Sequence, residues 1–296
     1  MEAINQPRPF AWCPLTPKGV AAFASATFGR LWLVQLIVAL GTGGICAWLL
    51  SSTSFPIIAA AIERLPQEGE INNGRLTWTA DSPQLLAEGR SLAIAVDLDH
   101  SAQTRSPAHV QAEFGLGDLR FYSLFGFVQW NYPHAQSFPF NYRELKPWFG
   151  AWAPILLAIT VFATILWLLF SWTALSTLYC VVAWLLALYA NRELTLRGGW
   201  RLSGAALMPG ALVMAAALAF YGFAQLDLIR LGAAFALHFL LGWVYLVLGV
   251  LACPVIPESA VPKKNPFTTP APPSAPSTPA EPGEISRPNP FRPSDG

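Results

Sequence analysis

The chain has 296 residues, of which 54% are hydrophobic and only 12% are charged, and its formal net charge is +1. Soluble domains carry about 25% charged residues, so long parts of this chain avoid charge, which suits a lipid solvent. The sequence holds no glycine-rich phosphate loop, no G-x-S-x-G, no H-E-x-x-H and no paired C-x-x-C motif. We therefore expect a non-enzymatic integral membrane protein with no cofactor, no metal site and no nucleic-acid partner.

The first apolar run predicts an uncleaved membrane anchor. Residues 1–30 carry Arg8, Lys18 and Arg30, and the 20 residues of 31–50 contain no charge. Such a helix is about 30 Å long, the thickness of the bilayer's hydrocarbon core. A cleaved signal peptide is the alternative, but its apolar core would be shorter and nearer the start. The positive-inside rule places residues 1–30 in the cytoplasm and the chain after the anchor on the extracytoplasmic side.

Charge returns in residues 52–150, which predict a small, mostly antiparallel β domain. The segment has no cysteine, so this domain has no disulfide and its fold rests on packing. Residues 56–65 predict a short amphipathic helix that lies on the membrane surface or caps the domain. The dipeptide Asn73-Gly74 is typical of a tight hairpin, because both central residues of such a turn need positive φ.

Two further segments of this domain predict strands. Residues 91–99 alternate as a strand with one buried face, and residues 120–132 as an aromatic-rich strand. Asp97 and Asp99 are expected to project from the same strand face, with His100 beside them. These three residues are candidates for an acid pair or a metal site, which would make the protein a membrane-bound enzyme. The competing interpretation is a solvated strand face, because a single D-x-D is common.

Residues 151–252 predict a helical membrane block of three or four helices. Segment 151–190 contains no charge and would make a helix about 60 Å long, so length favours two crossings with a tight turn near residues 171–173. The positive-inside rule favours one long helix, because two crossings would place the arginines of residues 192–201 on the side of the β domain. The sequence leaves four and five crossings open.

The helical block contains two weak functional candidates. Pro209-Gly210 interrupts an apolar run and predicts a kink, which is either a packing feature or the discontinuous helix of a transporter. His238 lies in the last apolar helix. Its role is either that of a proton relay or ligand contact, or that of a neutral ring that donates one interhelical hydrogen bond. Together they support another alternative, a component of a membrane transport system.

The C-terminal segment changes composition again. It holds 13 of the 26 prolines, from Pro254 onward, so residues 253–296 predict a disordered proline-rich tail. Two Asn-Pro-Phe copies are either peptide ligands for a partner or chance matches in proline-rich sequence. The residues of these copies are Asn265, Pro266, Phe267, Asn289, Pro290 and Phe291.

A family resemblance rests on three segments. Residues 66–76 surround the Asn-Gly turn, residues 92–99 form the alternating strand, and residues 201–210 place a basic residue before Ala-Ala-Leu-Met-Pro. With an anchor before them and a helical block at the end, they resemble a bacterial multi-span membrane-protein family of unknown function, distantly Yip-like. The resemblance covers most of residues 30–250 and implies this architecture without implying an activity.

These observations favour a multi-pass accessory or interaction protein of the bacterial inner (plasma) membrane. Its expected partners are membrane lipid and either other membrane proteins or a second copy of the chain. The small-residue face of the anchor, at Ala39, Gly43 and Ala47, permits close helix packing. We expect this face to dock the anchor onto the other helices or onto a second copy.

Overall fold

A computed structural model describes residues 13–256, so both Asn-Pro-Phe copies and nearly all of the predicted tail lie outside the described residues. The described chain is helical, with a small mixed-sheet domain between the first two long helices. Four helices are long and apolar enough to cross a membrane: Phe28–Glu63, Tyr142–Tyr189, Leu196–Gly222 and Leu228–Leu251. The coarse prediction of an apolar helical block with a β-rich domain is therefore confirmed.

The first long helix has three parts. After a short helix α1 (Pro17–Ala22), α2 (Phe28–Leu49) passes through a π-helical turn (Leu50–Ser54) into α3 (Phe55–Glu63). Hydroxyl groups in this turn donate to backbone carbonyls of the preceding turn, a competing hydrogen bond that distorts helices. The helix predicted at 56–65 is therefore present, but it continues the anchor. It caps the domain, because its apolar side chains join the domain core: Ile57, Ile58, Ala61, Ile62 and Leu65.

Two sheets form the domain. Their strands, in chain order, are β1 (Gly69–Asn72), β2 (Arg75–Trp78), β3 (Gln84–Glu88), β4 (Leu92–Val96), β5 (Val110–Phe114), β6 (Asp118–Ser123), β7 (Gly126–Asn131) and β8 (Phe138–Pro139). The smaller sheet has the order β2-β1-β8 and the larger has the order β3-β4-β5-β6-β7. All neighbouring strands are antiparallel except β4 and β5, which are parallel and joined by the crossover 97–109.

The domain contains one hairpin turn that was predicted from the sequence and one that was not. Asn73 and Gly74 have φ of 49° and 74° and join β1 to β2, so the predicted two-residue hairpin is confirmed. Residues 120–132 were predicted as one strand, but the chain turns at 124–125 and makes the β6–β7 hairpin. Gly126, with φ of 113°, allows that turn, because residues with a Cβ rarely adopt this conformation.

Residues 151–189 belong to one long helix, not to two helices joined by a turn. Helix α4 (Tyr142–Tyr189) has 48 residues, is about 72 Å long, and runs without interruption through residues 171–173. The predicted turn there is wrong and the single long helix is right. Residues 155–189 contain no glycine or proline that would interrupt the helix. The helix also begins within residues 52–150, which were predicted as domain.

Small residues allow the helices of the block to approach closely. The remaining helices are α5 (Leu196–Ala206), α6 (Met208–Gly222) and α7 (Leu228–Leu251). A Cβ added at Gly43 would lie 3.2 Å from the carbonyl oxygen of Val161, so the small-residue face of the anchor packs on α4. Elsewhere α4 exposes large apolar side chains such as Phe162 and Trp167, which suits a lipid environment better than water.

The ends of the helical block differ in charge. One end, called here the basic end, carries Lys18, Arg30, Arg192, Arg197 and Arg201. Arg192 donates to the carbonyl of Cys253 at 2.9 Å, and Arg201 to the carbonyls of residues 24 and 26 at 2.7 and 2.5 Å. The opposite end, the domain end, carries the β domain and the α6–α7 connection. All four long helices run between these two ends.

Candidate functional site

An apolar cavity of about 650 Å³ lies between α3, the first turns of α4 and the two sheets. Its size is within the range of small-molecule sites, about 300–1,000 Å³, whose walls are also mainly apolar. Glu144 is the one charged residue that lines it among residues 13–256. The walls include Ile58 and Ala61 from α3, Leu145 and Phe149 from α4, and Ile94 and Phe114 from the larger sheet.

The cavity lies where two long helices leave the helical block. Leu145 and Phe149 are four residues apart and therefore share one face of α4, which is turned toward α3. The rings of Phe55 and Phe149 meet edge to face with centroids 5.3 Å apart, on the side nearer the helical block. Since α3, which lines the cavity, continues α2, the cavity lies on the domain side of the apolar helices α2 and α4.

A polar groove adjoins the apolar cavity. The two share Pro139 and Glu144 in their walls, and Asn141 caps α4 by accepting the Glu144 N–H at 3.0 Å. The groove carries three carboxylates and one guanidinium: Glu68, Glu70, Glu144 and Arg143. The combined site is therefore amphipathic, with an apolar interior and a polar, mostly acidic mouth.

The structure keeps His100 beside Asp97 but does not place Asp97 and Asp99 on one face. Strand β4 ends at Val96, and the chain then turns, with the His100 N–H donating to the Asp97 carbonyl at 3.2 Å. Asp97 is buried, whereas Asp99 is exposed. The prediction of one shared strand face is wrong, because it assumed that the strand continued to residue 99. The single buried face predicted for β4 is also wrong, since Ala93 and Ala95 on the opposite face are fully buried under the crossover.

Asp97 instead holds the turn together. Its carboxylate accepts the Ser101 hydroxyl at 2.9 Å and the Ala102 N–H at 3.1 Å. Burial by itself would raise the pKa of Asp97, but these hydrogen bonds and the nearby His100 outweigh it and lower the pKa. This is a structural role for a residue that the sequence pattern presented as a candidate acid.

His100 joins the crossover to the sheet. Its two ring nitrogens each lie 2.6 Å from a carboxylate oxygen, Nδ1 from Glu113 and Nε2 from Asp118. Asp118 also pairs with Arg120 at 3.0 Å, and the hydrogen bonds from His100 and Arg120 lower its pKa although burial opposes this. A neutral imidazole donates from one nitrogen only, so both bonds require a second proton in the cluster. Glu113 and Asp118 were not predicted from the sequence, although a charged residue between Ala112 and Phe114 in an apolar segment was the available signal for Glu113.

Pro209 and Gly210 have packing roles. Pro209 lies in the first turn of α6, directly after the break at Leu207, so the predicted kink is confirmed. A Cβ on Gly210 would collide with the backbone carbonyl of His238, so only glycine allows α6 and α7 to meet there. His238 itself directs Nδ1 to the carbonyl of Phe235 in its own helix, and the predicted interhelical bond is wrong. The space beside it is only about 80 Å³.

The domain rests on the α6–α7 connection through two residues. The guanidinium of Arg90 donates to the carbonyl of Leu226 and lies 5.4 Å from the centroid of the Tyr221 ring. His109 places Nδ1 2.5 Å from the Tyr221 hydroxyl oxygen. Burial, and then the charge of Arg90, lower the pKa of His109, while Asp227 acts in the opposite direction. The neutral ring is therefore favoured, and its Nδ1 accepts the tyrosine hydroxyl.

Comparisons of the chain with protein-family models, with curated proteins and with solved structures found no match. The resemblance to a Yip-like family, which rests on residues 66–76, 92–99 and 201–210, therefore stays a prediction. The cavity, the groove and the arrangement of charge along the helices are the features of the structure that bear on function.

Proposed function

We propose that this chain is a non-enzymatic accessory protein of the bacterial inner membrane whose extracytoplasmic domain binds the acyl chain of a membrane lipid. The observation that carries the proposal is the apolar cavity of about 650 Å³ between α3, α4 and the sheets. A cavity with almost no polar wall favours an apolar occupant, because burying a polar group there without a partner is costly.

The orientation follows from the charges at the two ends of the block. Cytoplasmic loops of membrane proteins carry an excess of lysine and arginine. The basic end holds five basic residues of the described chain and one acidic residue, Glu193. At the domain end, the four basic residues that flank the helices lie among three acidic ones: Arg64, Arg143, Lys146 and Arg230, with Glu63, Glu144 and Asp227. The basic end is therefore cytoplasmic, and the β domain with its cavity is extracytoplasmic. With four crossings, residues 13–27 and 252–256 both lie at the cytoplasmic surface.

A lipid fits the combined site better than a wholly apolar molecule does. The acyl chain occupies the cavity, and the head group lies in the groove beside Glu144. Arg143 provides a cation for the lipid phosphate, while Glu68 and Glu70 favour an ammonium group. The site therefore prefers a zwitterionic aminophospholipid to an anionic phospholipid. Access from the bilayer is short, because both helices that flank the cavity continue into apolar spans.

A cavity-filling substitution tests this function. Ala61→Phe places a phenyl ring in the cavity, whereas Ala60→Phe adds the same ring to the exposed side of α3. Each protein is purified in detergent, its bound phospholipid is quantified by mass spectrometry, and its affinity for a fluorescent acyl probe is measured. We expect Ala61→Phe to weaken probe binding by about tenfold or more, equivalent to about 1.4 kcal/mol, and Ala60→Phe to bind like the parent chain.

Equal lipid content and equal probe affinity in the two variants would refute the lipid-binding function. Thermal unfolding of both variants tests whether Ala61→Phe is folded, and Ile94→Phe is a second cavity-filling variant, on the sheet. Crosslinking of the native complex in membranes tests the accessory role separately. A stoichiometric partner supports that role, and a lone monomer or homo-oligomer contradicts it.

A further inference from the structure

The β6–β7 hairpin exposes an unusual amount of apolar surface. At its tip, the exposed fraction is 66% for Leu124 and 93% for Phe125. Along β7, it is 64% for Val128 and 70% for Trp130. Soluble surfaces rarely expose contiguous apolar patches of this kind without a binding role.

The tip of this hairpin lies at the level where the apolar helices end. Ser123 at the end of β6 pairs with Val110, and the adjacent His109 contacts Tyr221 in the last turn of α6. The next residue of that helix, Gly222, approaches the ring of Trp48 near the end of α2. A chain of direct contacts therefore connects the hairpin tip to the domain end of the helical block.

The α6–α7 connection extends the apolar surface of the tip. Leu124 and Ser123 line one groove together with Leu228 and Ile229, the first residues of α7. Ile229 is highly exposed, and so is Phe223 at the end of α6. Arg105 lines the same groove, with its guanidinium carbon 3.5 Å from the centroid of the Tyr122 ring. Aromatic side chains beside a basic residue are typical of the membrane–water interface.

We propose that the tip of the β6–β7 hairpin dips into the bilayer that holds the four long helices, with Leu124 and Phe125 in the headgroup–acyl boundary. Apolar side chains of interfacial elements enter that boundary by about 5–10 Å. Strand β7 then rises away from the membrane, because Asn131 lies about 20 Å along the chain from Phe125. The inserted tip is one point that holds the domain against the membrane. The contacts of Arg90 and His109 with Tyr221 of α6 are the other. This inference does not depend on a ligand in the cavity.

Site-directed fluorescence tests the insertion. Phe125→Cys and Asn131→Cys are made in a chain without its four native cysteines, labelled with an environment-sensitive dye and placed in phospholipid nanodiscs. Asn131 is the matched control, since it is exposed on the same hairpin but far from the tip. Lipids with a nitroxide near the head of the acyl chain should quench the dye at 125 at least about threefold more than at 131, and aqueous iodide should show the reverse order.

Two results of the quenching experiment would overturn the proposed insertion. Equal quenching of both sites by nitroxide lipid, with iodide reaching both, overturns it because the tip then lies in water. A dye at 125 that is shielded from both quenchers also overturns it, because a protein surface then covers the tip. If the cysteine-free chain does not fold, Cys13→Ser alone gives the background, since the other three thiols lie in or against the helical block.

Discussion

His109 meets Tyr221 at the joint between the domain and the helical block, with Nδ1 2.5 Å from the phenol oxygen. The pKa of His109 is lowered by burial and by Arg90. The folded pKa therefore lies below the unfolded value of about 6.5, and stabilisation by the neutral ring is present above pH 6.5 and is lost as the pH falls through the folded pKa.

We therefore expect the joint to loosen on mild acidification. Hydrogen–deuterium exchange of residues 221–227, corrected for intrinsic pH effects, should become about two- to tenfold faster between pH 7.5 and 5.5. His109→Gln should remove this pH dependence, and His134→Gln, at an exposed site, should retain it. Exchange that is independent of pH in the parent chain would show that His109 does not control the joint.

Loss of the His100 bridge should destabilise the domain. His100→Asn keeps a residue that tolerates φ of 52° but removes the bridge between Glu113 and Asp118. Since Glu113 is fully buried, loss of its His100 partner should lower the free energy of unfolding by about 2 kcal/mol, with Gln111 and Tyr122 remaining as its hydrogen-bond partners. Asp99→Ala, at the exposed position, should change it by less than about 0.5 kcal/mol. Pulse proteolysis in urea measures both, and similar values for the two variants would show that the bridge contributes little.

A methyl group at Gly210 should separate α6 from α7. Gly210→Ala places its Cβ against the His238 carbonyl, and overpacking of this kind costs about 1–3 kcal/mol. Gly232→Ala in α7 is the matched control, because the space around Gly232 is open, and it should leave stability unchanged or raise it. Thermal unfolding in detergent compares the variants. The packing role is wrong if Gly210→Ala is as stable as Gly232→Ala.

The single α4 helix predicts a definite topology. Glu193→Cys lies at the basic end, and Gln225→Cys lies in the α6–α7 connection at the domain end. In a cysteine-free chain in intact cells, with the outer membrane permeabilised where one is present, an impermeant thiol reagent should label position 225 and leave position 193 protected. Gln129→Cys in the domain is the positive control. Labelling at 193 together with 225 would contradict four crossings with the basic end inside.

The features that were predictable from the sequence depend on neighbouring residues. The Asn73-Gly74 hairpin follows from two adjacent residues that accept positive φ, and the kink before Pro209 follows from the missing N–H of proline. The long α4 helix was also readable, because no glycine or proline interrupts residues 155–189. The length argument failed there, since it assumed that a helix cannot extend beyond the bilayer that it crosses.

The features that were not predictable depend on contacts between distant segments. His100 finds Glu113 and Asp118 only because the parallel β4–β5 pair brings the crossover back over the sheet. The cavity is assembled from α3, α4 and strands of both sheets, and no local pattern shows that their apolar faces leave a space between them.

Photo-crosslinking with a lipid that carries a diazirine in its acyl chain tests the proposed cavity most directly. The protein is irradiated in nanodiscs, and the labelled residues are mapped by mass spectrometry. We expect labels on Ile58, Ile94 and Phe114, which line the cavity, and their loss in Ala61→Phe but not in Ala60→Phe. Labels confined to the outer surfaces of the long helices, such as Phe162 on α4, would contradict it.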